Sequence, residues 1–123
     1  MMIKARGLNH INLNVSDIGR SLKFYQDAFG LEVDFWEGKT MVFLHSPGAH
    51  DTITLCQVKE GEPVGNGGVS HFGFSFGKDS LDEAVGQIEI AGGKLLSRGK
   101  HGGMFPYAYV SDPDGYMIEL GNS

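Results

Sequence analysis

The sequence predicts an α+β protein made of two β-α-β-β-β modules whose sheets curl toward each other around an inner cleft. Residues 8–58 and 69–121 read as two degenerate copies of one unit. Each copy opens on a strand with a histidine at the same place, His10 in the first and His71 in the second. The offset between copies is nearly constant along the chain, so one alignment with a short insertion relates them. We therefore expect all 123 residues to form one domain of two modules.

The first module begins with a strand, because residues 8–15 alternate apolar and polar side chains with the two-residue period of a half-buried strand. A helix follows, with Ser16 or Asp17 able to cap its start and Gly30 able to end it. Its apolar residues recur at helical spacing: Ile18, Leu22, Tyr25 and Phe29. Three strands complete the module, at residues 31–36, 40–46 and 51–58. The aromatic residues predicted to lie in the core are Phe24, Tyr25, Phe29, Phe35 and Trp36.

The second module repeats this order after residues 59–68, a stretch rich in glycine that reads as the connection. Its first strand places three phenylalanines on one face, which needs a helix to cover it: Phe72, Phe74 and Phe76. Asp79 or Ser80 can cap that helix, and Gly92-Gly93 ends it. Three further strands are predicted at residues 94–97, 107–111 and 116–121. The tight turn before the last strand has the sequence Asp112-Pro113-Asp114-Gly115.

Composition excludes several classes of function. Ten basic against fifteen acidic residues give a net charge of −5, and no stripe of Lys or Arg would neutralise phosphates, so no nucleic-acid partner is expected. No stretch approaches about 18 apolar residues, which argues against membrane insertion. The one cysteine, Cys56, has no internal disulfide partner. We expect a cytoplasmic protein that acts on a small molecule.

The differences between the two copies point to a metal site. Thr54 and Glu119 occupy one register near the ends of the copies, as His10 and His71 do near the beginnings. Strand parity puts all four on the inner surface. Two histidines and one carboxylate leave roughly three octahedral positions free on a divalent ion. We therefore predict that the cleft inside the curled sheet holds a metal ion. Thr54, a weak donor, is expected to contribute a hydrogen bond or room. The competing interpretation is that both histidines are ordinary strand residues and that Glu119 lies at a sheet edge.

The remaining histidines divide into one candidate and two residues without a predicted role. His101 lies in a glycine-rich loop before a strand on which Tyr107 and Tyr109 share a face. If that face lines the cleft, His101 and Tyr109 can stabilise an oxyanion or shuttle a proton as catalytic groups. A surface loop and two core tyrosines are the alternative. His45, in an apolar run, is predicted to pack, and His50 is predicted to be solvated.

These residues resemble the vicinal oxygen chelate superfamily, the glyoxalase/bleomycin resistance/dioxygenase group. The resemblance extends over nearly the whole chain and rests on residues 8–11, 21–31, 70–72 and 112–120. It implies one divalent ion that chelates vicinal oxygens of the substrate, with His10, His71 and Glu119 at the ligand positions. Fe(II) is favoured, with Mn(II), Zn(II), Ni(II) or Co(II) as alternatives. The resemblance also implies a homodimer, and it leaves open whether each cleft is closed by one chain or by two.

Within this group, the resemblance favours an extradiol ring-cleaving dioxygenase. Such enzymes use three ligands and a His, Tyr, Pro-x-Gly, Glu order, which His101, Tyr109, Pro113 and Glu119 follow here. Glyoxalase I enzymes have a Glu or Gln where this chain has Thr54, so a glyoxalase-like lyase or isomerase is the alternative. A metal-free drug-binding module of the bleomycin resistance type is another. Fosfomycin-inactivating relatives are ranked lower, since cationic residues are sparse after Glu119.

Overall fold

The computed structural model describes residues 3–75, 81–103 and 105–121. The elements of the first module are β1 Ile11–Val15, α1 Ile18–Phe29, β2 Glu32–Glu37, β3 Met41–His45 and β4 Ile53–Gln57. Those of the second are β5 Phe72–Ser75, α2 Leu81–Ile90, β6 Lys94–His101, β7 Phe105–Ser111 and β8 Met117–Gly121. The order β-α-β-β-β therefore occurs twice, and the predicted α+β fold class is confirmed. The predicted cap at Asp79 or Ser80, and Phe76, lie outside the described residues.

The two sheets have the same topology. The first has the strand order β1-β4-β3-β2 and the second β5-β8-β7-β6, with the first strand of each module parallel to the last. Even the irregularities repeat, since the pairing shifts between Val33 and Phe35 in one outer hairpin and between Leu95 and Ser97 in the other. A bulge changes which way the next side chains point. The inner faces of the two outer hairpins are thus built alike.

Helix α1 begins and ends as its sequence predicts. Asp17 has extended backbone angles, and its side chain accepts a hydrogen bond from the backbone N–H of Arg20 at 3.1 Å. Gly30 adopts the left-handed conformation with φ of 67°, and its N–H donates back to the carbonyl of Gln26. These caps fix the helix so that Phe24 and Tyr25 face inward, where both are fully buried.

A buried polar network joins the two modules. The Tyr25 hydroxyl donates to Asp112 at 2.7 Å, and Asp112 also accepts from the backbone N–H groups of Asp114 and Tyr116, each at 2.9 Å. The Tyr116 hydroxyl donates to the carbonyl of Asn14 at 2.7 Å. Burial raises the pKa of Asp112, and burial followed by the charge of Asp112 raises the pKa of Tyr25 well above its usual value. The turn before β8 is therefore anchored to the first module.

Apolar packing completes the junction. The Phe29 ring of α1 stacks on Phe74 of β5 at 4.2 Å between centroids. The largest fully buried apolar side chains are Tyr25, Phe24, Leu44, Leu55, Ile88, Ile118, Leu120, Val15, Val42 and Val110. Those that lie on strands alternate with residues of the opposite, inner face, as the predicted parity requires. Across the described residues, no helix has both the length and the apolar character needed to span a membrane.

Two residues predicted for the core lie elsewhere. Phe35 is 51% exposed and Trp36 is 42% exposed, so the prediction of burial was wrong for both. The reason is position, because β2 is the edge strand of its sheet and neither face of it is well covered. Phe35 stacks on Phe43 of β3 with centroids 4.3 Å apart. This pair gives the first sheet an aromatic surface.

Candidate metal centre

Glu119 occupies the middle of the second sheet. Its strand neighbours Ile118 and Leu120 are buried in the core, so the Glu119 side chain points to the opposite, inner face. It pairs with Gly73 of β5 on one side and Tyr109 of β7 on the other. The side chain of Glu119 is 21% exposed. A carboxylate that is partly shielded from water on this face can contact groups from both neighbouring strands.

Two histidines and a tyrosine converge on this carboxylate. His71 Nε2 lies 3.3 Å from one carboxylate oxygen, and His101 Nε2 lies 3.2 Å from the other. A hydrogen bond with Glu119 is the main cause that raises the pKa of the Tyr109 hydroxyl. The ring of His71 also meets Tyr109 edge-on at 4.9 Å. Four residues singled out from the sequence are therefore gathered in one cluster.

The spacing of these atoms suits a divalent ion. Two donors at adjacent positions of an octahedron, each about 2.1 Å from the ion, are separated by about 3.0 Å. His71 Nε2 and the nearer Glu119 oxygen are 3.3 Å apart, so small side-chain adjustments would let both contact one ion. Imidazole nitrogen and carboxylate oxygen are also donors that Fe(II), Mn(II) and Zn(II) accept. The donor atoms and spacing of His71 and Glu119 therefore fit two ligand positions of a divalent ion.

His10 stands apart from this cluster. It is exposed, immediately precedes β1, and lines a cavity of about 140 Å³ together with Gly73 and Phe74 of β5. His71 and Glu119 line the next cavity, which shares Gly73 and Phe74. Nevertheless, among residues 3–75, 81–103 and 105–121 no three His, Cys, Asp or Glu side chains are grouped to hold an ion. His10 as third ligand stays a prediction.

Thr54 occupies the position in the first module that corresponds to Glu119. Its side chain is buried, with 1% of the residue exposed, and its hydroxyl donates to Asn12 at 2.5 Å. The hydroxyl is thus engaged within its own sheet. Thr54 supplies the hydrogen bond that its sequence position suggested, and it offers no anionic oxygen to an ion or a proton.

His101 is not in a loop, contrary to the sequence interpretation. It is the last residue of β6 and pairs with Phe105, because β6 and β7 continue their ladder to the hairpin end. The turn is made by Gly102 and Gly103, whose φ values are 59° and 71°. The His101 ring stacks on Tyr107 at 4.2 Å between centroids. Pairing and stacking hold the imidazole over the inner face, close to Glu119. Met104 lies outside the described residues.

His45, predicted from the sequence to pack in an apolar run, contacts two carboxylates instead. Its Nε2 lies 3.3 Å from a carboxylate oxygen of Glu32, and its Nδ1 lies 2.6 Å from a carboxylate oxygen of Asp34. The Nδ1 atom is buried, and the angle at the Asp34 contact departs from that of a regular hydrogen bond. Alternation along β3 was the available signal, since Val42 and Leu44 are buried and His45 therefore belongs to the opposite face.

Comparison with known proteins identifies the family. The model of the Glyoxalase/Bleomycin resistance protein/Dioxygenase superfamily matches residues 7–120. The chain belongs to this superfamily. The resemblance noted in the sequence is thereby confirmed, and so is the expectation that a member of this family has two curled four-stranded sheets with two helices.

Individual relatives and solved structures show which proteins of the superfamily this chain is similar to. The chain is 32% identical to a probable lactoylglutathione lyase of Vibrio parahaemolyticus, over 90% of this chain and 86% of that protein. It is 30% identical to the lactoylglutathione lyase of Schizosaccharomyces pombe, over 92% of this chain but only 46% of that protein. Among solved structures, FosX of Listeria monocytogenes, a fosfomycin resistance protein complexed with Mn(II), has a TM-score of 0.78 at 24% identity. That match covers 98% of this chain and 93% of FosX, and it supports the fold alone.

Proposed function

We propose that this superfamily member is a divalent-metal-dependent, glyoxalase-like lyase or isomerase that acts on a small molecule with vicinal oxygens. The observation that carries the proposal is the Glu119 carboxylate, which has a histidine Nε2 within 3.3 Å of each oxygen on the inner face of the sheet. The name lactoylglutathione lyase among the relatives favours this class over the ring-cleaving dioxygenase that the sequence favoured.

His71 and Glu119 would hold the ion, with His10 as the third protein ligand. When bound, a divalent ion acts as a Lewis acid that polarises a carbonyl oxygen and leaves about three positions for substrate or water. Tyr109 stands beside this position. Its hydrogen bond with Glu119 raises its pKa, so the phenol stays protonated, and its single O–H would have to leave Glu119 to donate to an oxyanion. His101, stacked on Tyr107, is placed to exchange a proton at Nε2.

The identity of the ion stays a prediction. The preference for Fe(II) came from the dioxygenase resemblance, whereas lyase chemistry needs only a Lewis acid, which Mn(II), Zn(II), Ni(II) or Co(II) also supplies. Elemental analysis of protein purified without chelators would identify it. We also expect a homodimer, which light scattering would detect as twice the mass of one chain.

The experiment that tests the function is an anaerobic assay. Protein loaded separately with each metal is mixed with thiohemiacetals of small 2-oxoaldehydes, and formation of the thioester is followed by absorbance. We expect turnover without oxygen, with Glu119→Gln inactive and Thr54→Ser, which retains the hydroxyl, as the control. Oxygen uptake with catechols and no thioester would establish the dioxygenase instead. Failure to bind any divalent ion would favour the metal-free binding module.

A further inference from the structure

We infer that His45, oriented by Asp34, is a proton-transfer residue of this active site. The inference rests on the proposed function and adds a catalytic group from the first module. The predicted ligand positions do not include it, and the apolar residues around it in the sequence led to a prediction of packing. Three observations on the geometry of the first sheet support the assignment.

The first observation is that His45 and His10 lie in one row across the sheet. Ile53 pairs with Ile11 on one side and with Leu44 on the other, so Thr52 lies between His10 and His45. Adjacent strands are about 4.8 Å apart, which separates the two histidine backbones by about 10 Å. Both side chains belong to the inner face. A small molecule on an ion held by His10 would therefore fit between the ion and the His45 ring.

The second observation is that Asp34 contacts His45 on the inner face. Glu32 pairs with His45 and Val33 with Leu44, and the pairing then shifts, so that Phe35 faces Phe43. Alternation puts Asp34 on the same face as Glu32 and His45, where a carboxylate oxygen of Asp34 lies 2.6 Å from Nδ1. The contact does not have hydrogen-bond geometry, so Asp34 restrains the buried side of the ring by its charge and proximity, and Nε2 is the nitrogen that remains to exchange the proton.

The third observation is that Nε2 meets a partner that substrate can displace. Glu32 Oε2 is 3.3 Å from Nε2, and the Glu32 side chain is 61% exposed, against 26% for His45. Glu32 and Asp34 are the charged groups that contact His45, and the neighbour from β4 is the uncharged Thr52. The imidazole is thus fixed at its buried side and accessible at its catalytic side.

Thr54 supplies no proton-transfer group from the first module, and His45 would supply one in addition to His101 of the second module. Its hydroxyl is buried and donates to Asn12, so the first module has no carboxylate at this position. In the step assigned to His45, Nε2 takes the proton from the hydroxyl-bearing carbon beside the substrate carbonyl. The C–H electron pair becomes a carbon–carbon double bond, and the π pair of the carbonyl moves to the carbonyl oxygen. Nε2 then returns its proton to the former carbonyl carbon, while the proton of the other hydroxyl passes to the former carbonyl oxygen and a carbonyl forms at the carbon that lost its hydrogen. No oxidant or reductant is consumed.

The test combines turnover with a binding measurement. His45→Gln keeps a polar side chain between the two carboxylates, Asp34→Asn removes the orienting charge, and His50→Gln alters an exposed histidine nearby as the control. We expect His45→Gln to lower kcat by about 10²- to 10⁴-fold with KM changed less than about threefold. Asp34→Asn should lower kcat by at least about tenfold, whereas the control should match the unsubstituted protein. Chemical denaturation confirms that each variant is folded.

The second readout does not depend on activity. Acetohydroxamate, a small chelator with two vicinal oxygens, is added to the Zn(II)-loaded protein, and the ¹⁵N resonances of the histidine rings are followed by NMR. Movement of both the His71 and His45 resonances supports the inference. Movement of His71 alone, or a His45→Gln variant with near-normal kcat, overturns it and leaves the proposed function intact. Absence of turnover in the unsubstituted protein together with no movement of either resonance overturns both.

Discussion

The hydroxyl of Tyr25 is predicted to contribute strongly to stability, because it supplies one of three donors to a buried carboxylate. Tyr25 has no exposed surface, and Asp112 is 4% exposed. Tyr25→Phe removes only the oxygen, so the aromatic packing against Phe24 and Phe29 is retained. In this variant Asp112 keeps its two backbone donors but loses the hydrogen bond from the phenol at 2.7 Å.

The magnitude follows from the charge on the acceptor. Hydrogen bonds to charged groups contribute about 1.5–3 kcal/mol, roughly twice the value for neutral pairs. We therefore expect Tyr25→Phe to lower the free energy of unfolding by about 2 kcal/mol at neutral pH. Tyr107→Phe is the matched control, since Tyr107 is half-buried and its structural contacts are ring stacking rather than a hydrogen bond, and it should change stability by less than about 0.5 kcal/mol.

The pKa of Asp112 predicts in which direction the stability loss of Tyr25→Phe changes with pH. Burial raises the folded-state pKa of Asp112, so the contribution of this group is fully present below its unfolded pKa and is lost as pH rises through the folded value. The phenol lowers the pKa of Asp112 by stabilising its charged form. Tyr25→Phe should accordingly cost more at neutral than at acidic pH, because the phenol stabilises the charged form of Asp112 more than the protonated form.

Urea unfolding of both variants, followed by far-ultraviolet circular dichroism at pH 4 and pH 7, measures these differences. A loss below about 0.5 kcal/mol at pH 7, or a larger loss at pH 4 than at pH 7, would refute the reasoning. The first result would mean that the hydrogen bond is replaced by water, and the second that the phenol stabilises the protonated form of Asp112 more than the charged form.

Three further predictions follow from the same geometry. Glu119→Gln should weaken binding of Zn(II) at least about 100-fold by calorimetry, because it removes the anionic donor, and comparable binding in this variant would exclude Glu119 as a ligand. Because the pKa of Tyr25 is raised in the folded protein, this residue should make the free energy of unfolding fall by about 1.4 kcal/mol per pH unit above pH 10. The fall with pH should be less steep in Tyr25→Phe, and identical alkaline unfolding curves would contradict this. Gly30→Ala should lower the free energy of unfolding by about 1 kcal/mol, because φ is 67° and the surrounding space is open, so only backbone strain opposes the change. Gly86→Ala within α2 should raise the free energy of unfolding by about 0.5–1 kcal/mol. Denaturant titration that gives the opposite order would contradict this prediction.

Local sequence was sufficient for the elements and for half of the site. Asp17 and Gly30 bound α1 because capping depends on adjacent backbone groups, and the alternation around Glu119 predicted its inner face because strand parity is a local property. Phe35 shows where this fails, since its hydrophobicity predicts burial while its exposure depends on β2 being an edge strand. His45 shows the same limit, because its carboxylate neighbours lie on β2 and meet it only through the register of β2 against β3.

Repeats, strand periodicity and motifs were enough to predict a duplicated β-α-β-β-β protein of the vicinal oxygen chelate type, with histidines and a carboxylate on inner strand faces. Three contacts required the folded chain: His101 and His71 share the Glu119 carboxylate, the Thr54 hydroxyl donates to Asn12, and a buried network at Asp112 joins the modules. The difference lies in the distance along the chain over which each interaction acts. Periodicity and capping act over a few residues, whereas these contacts depend on strand order, register and bulges that bring together side chains distant along the chain.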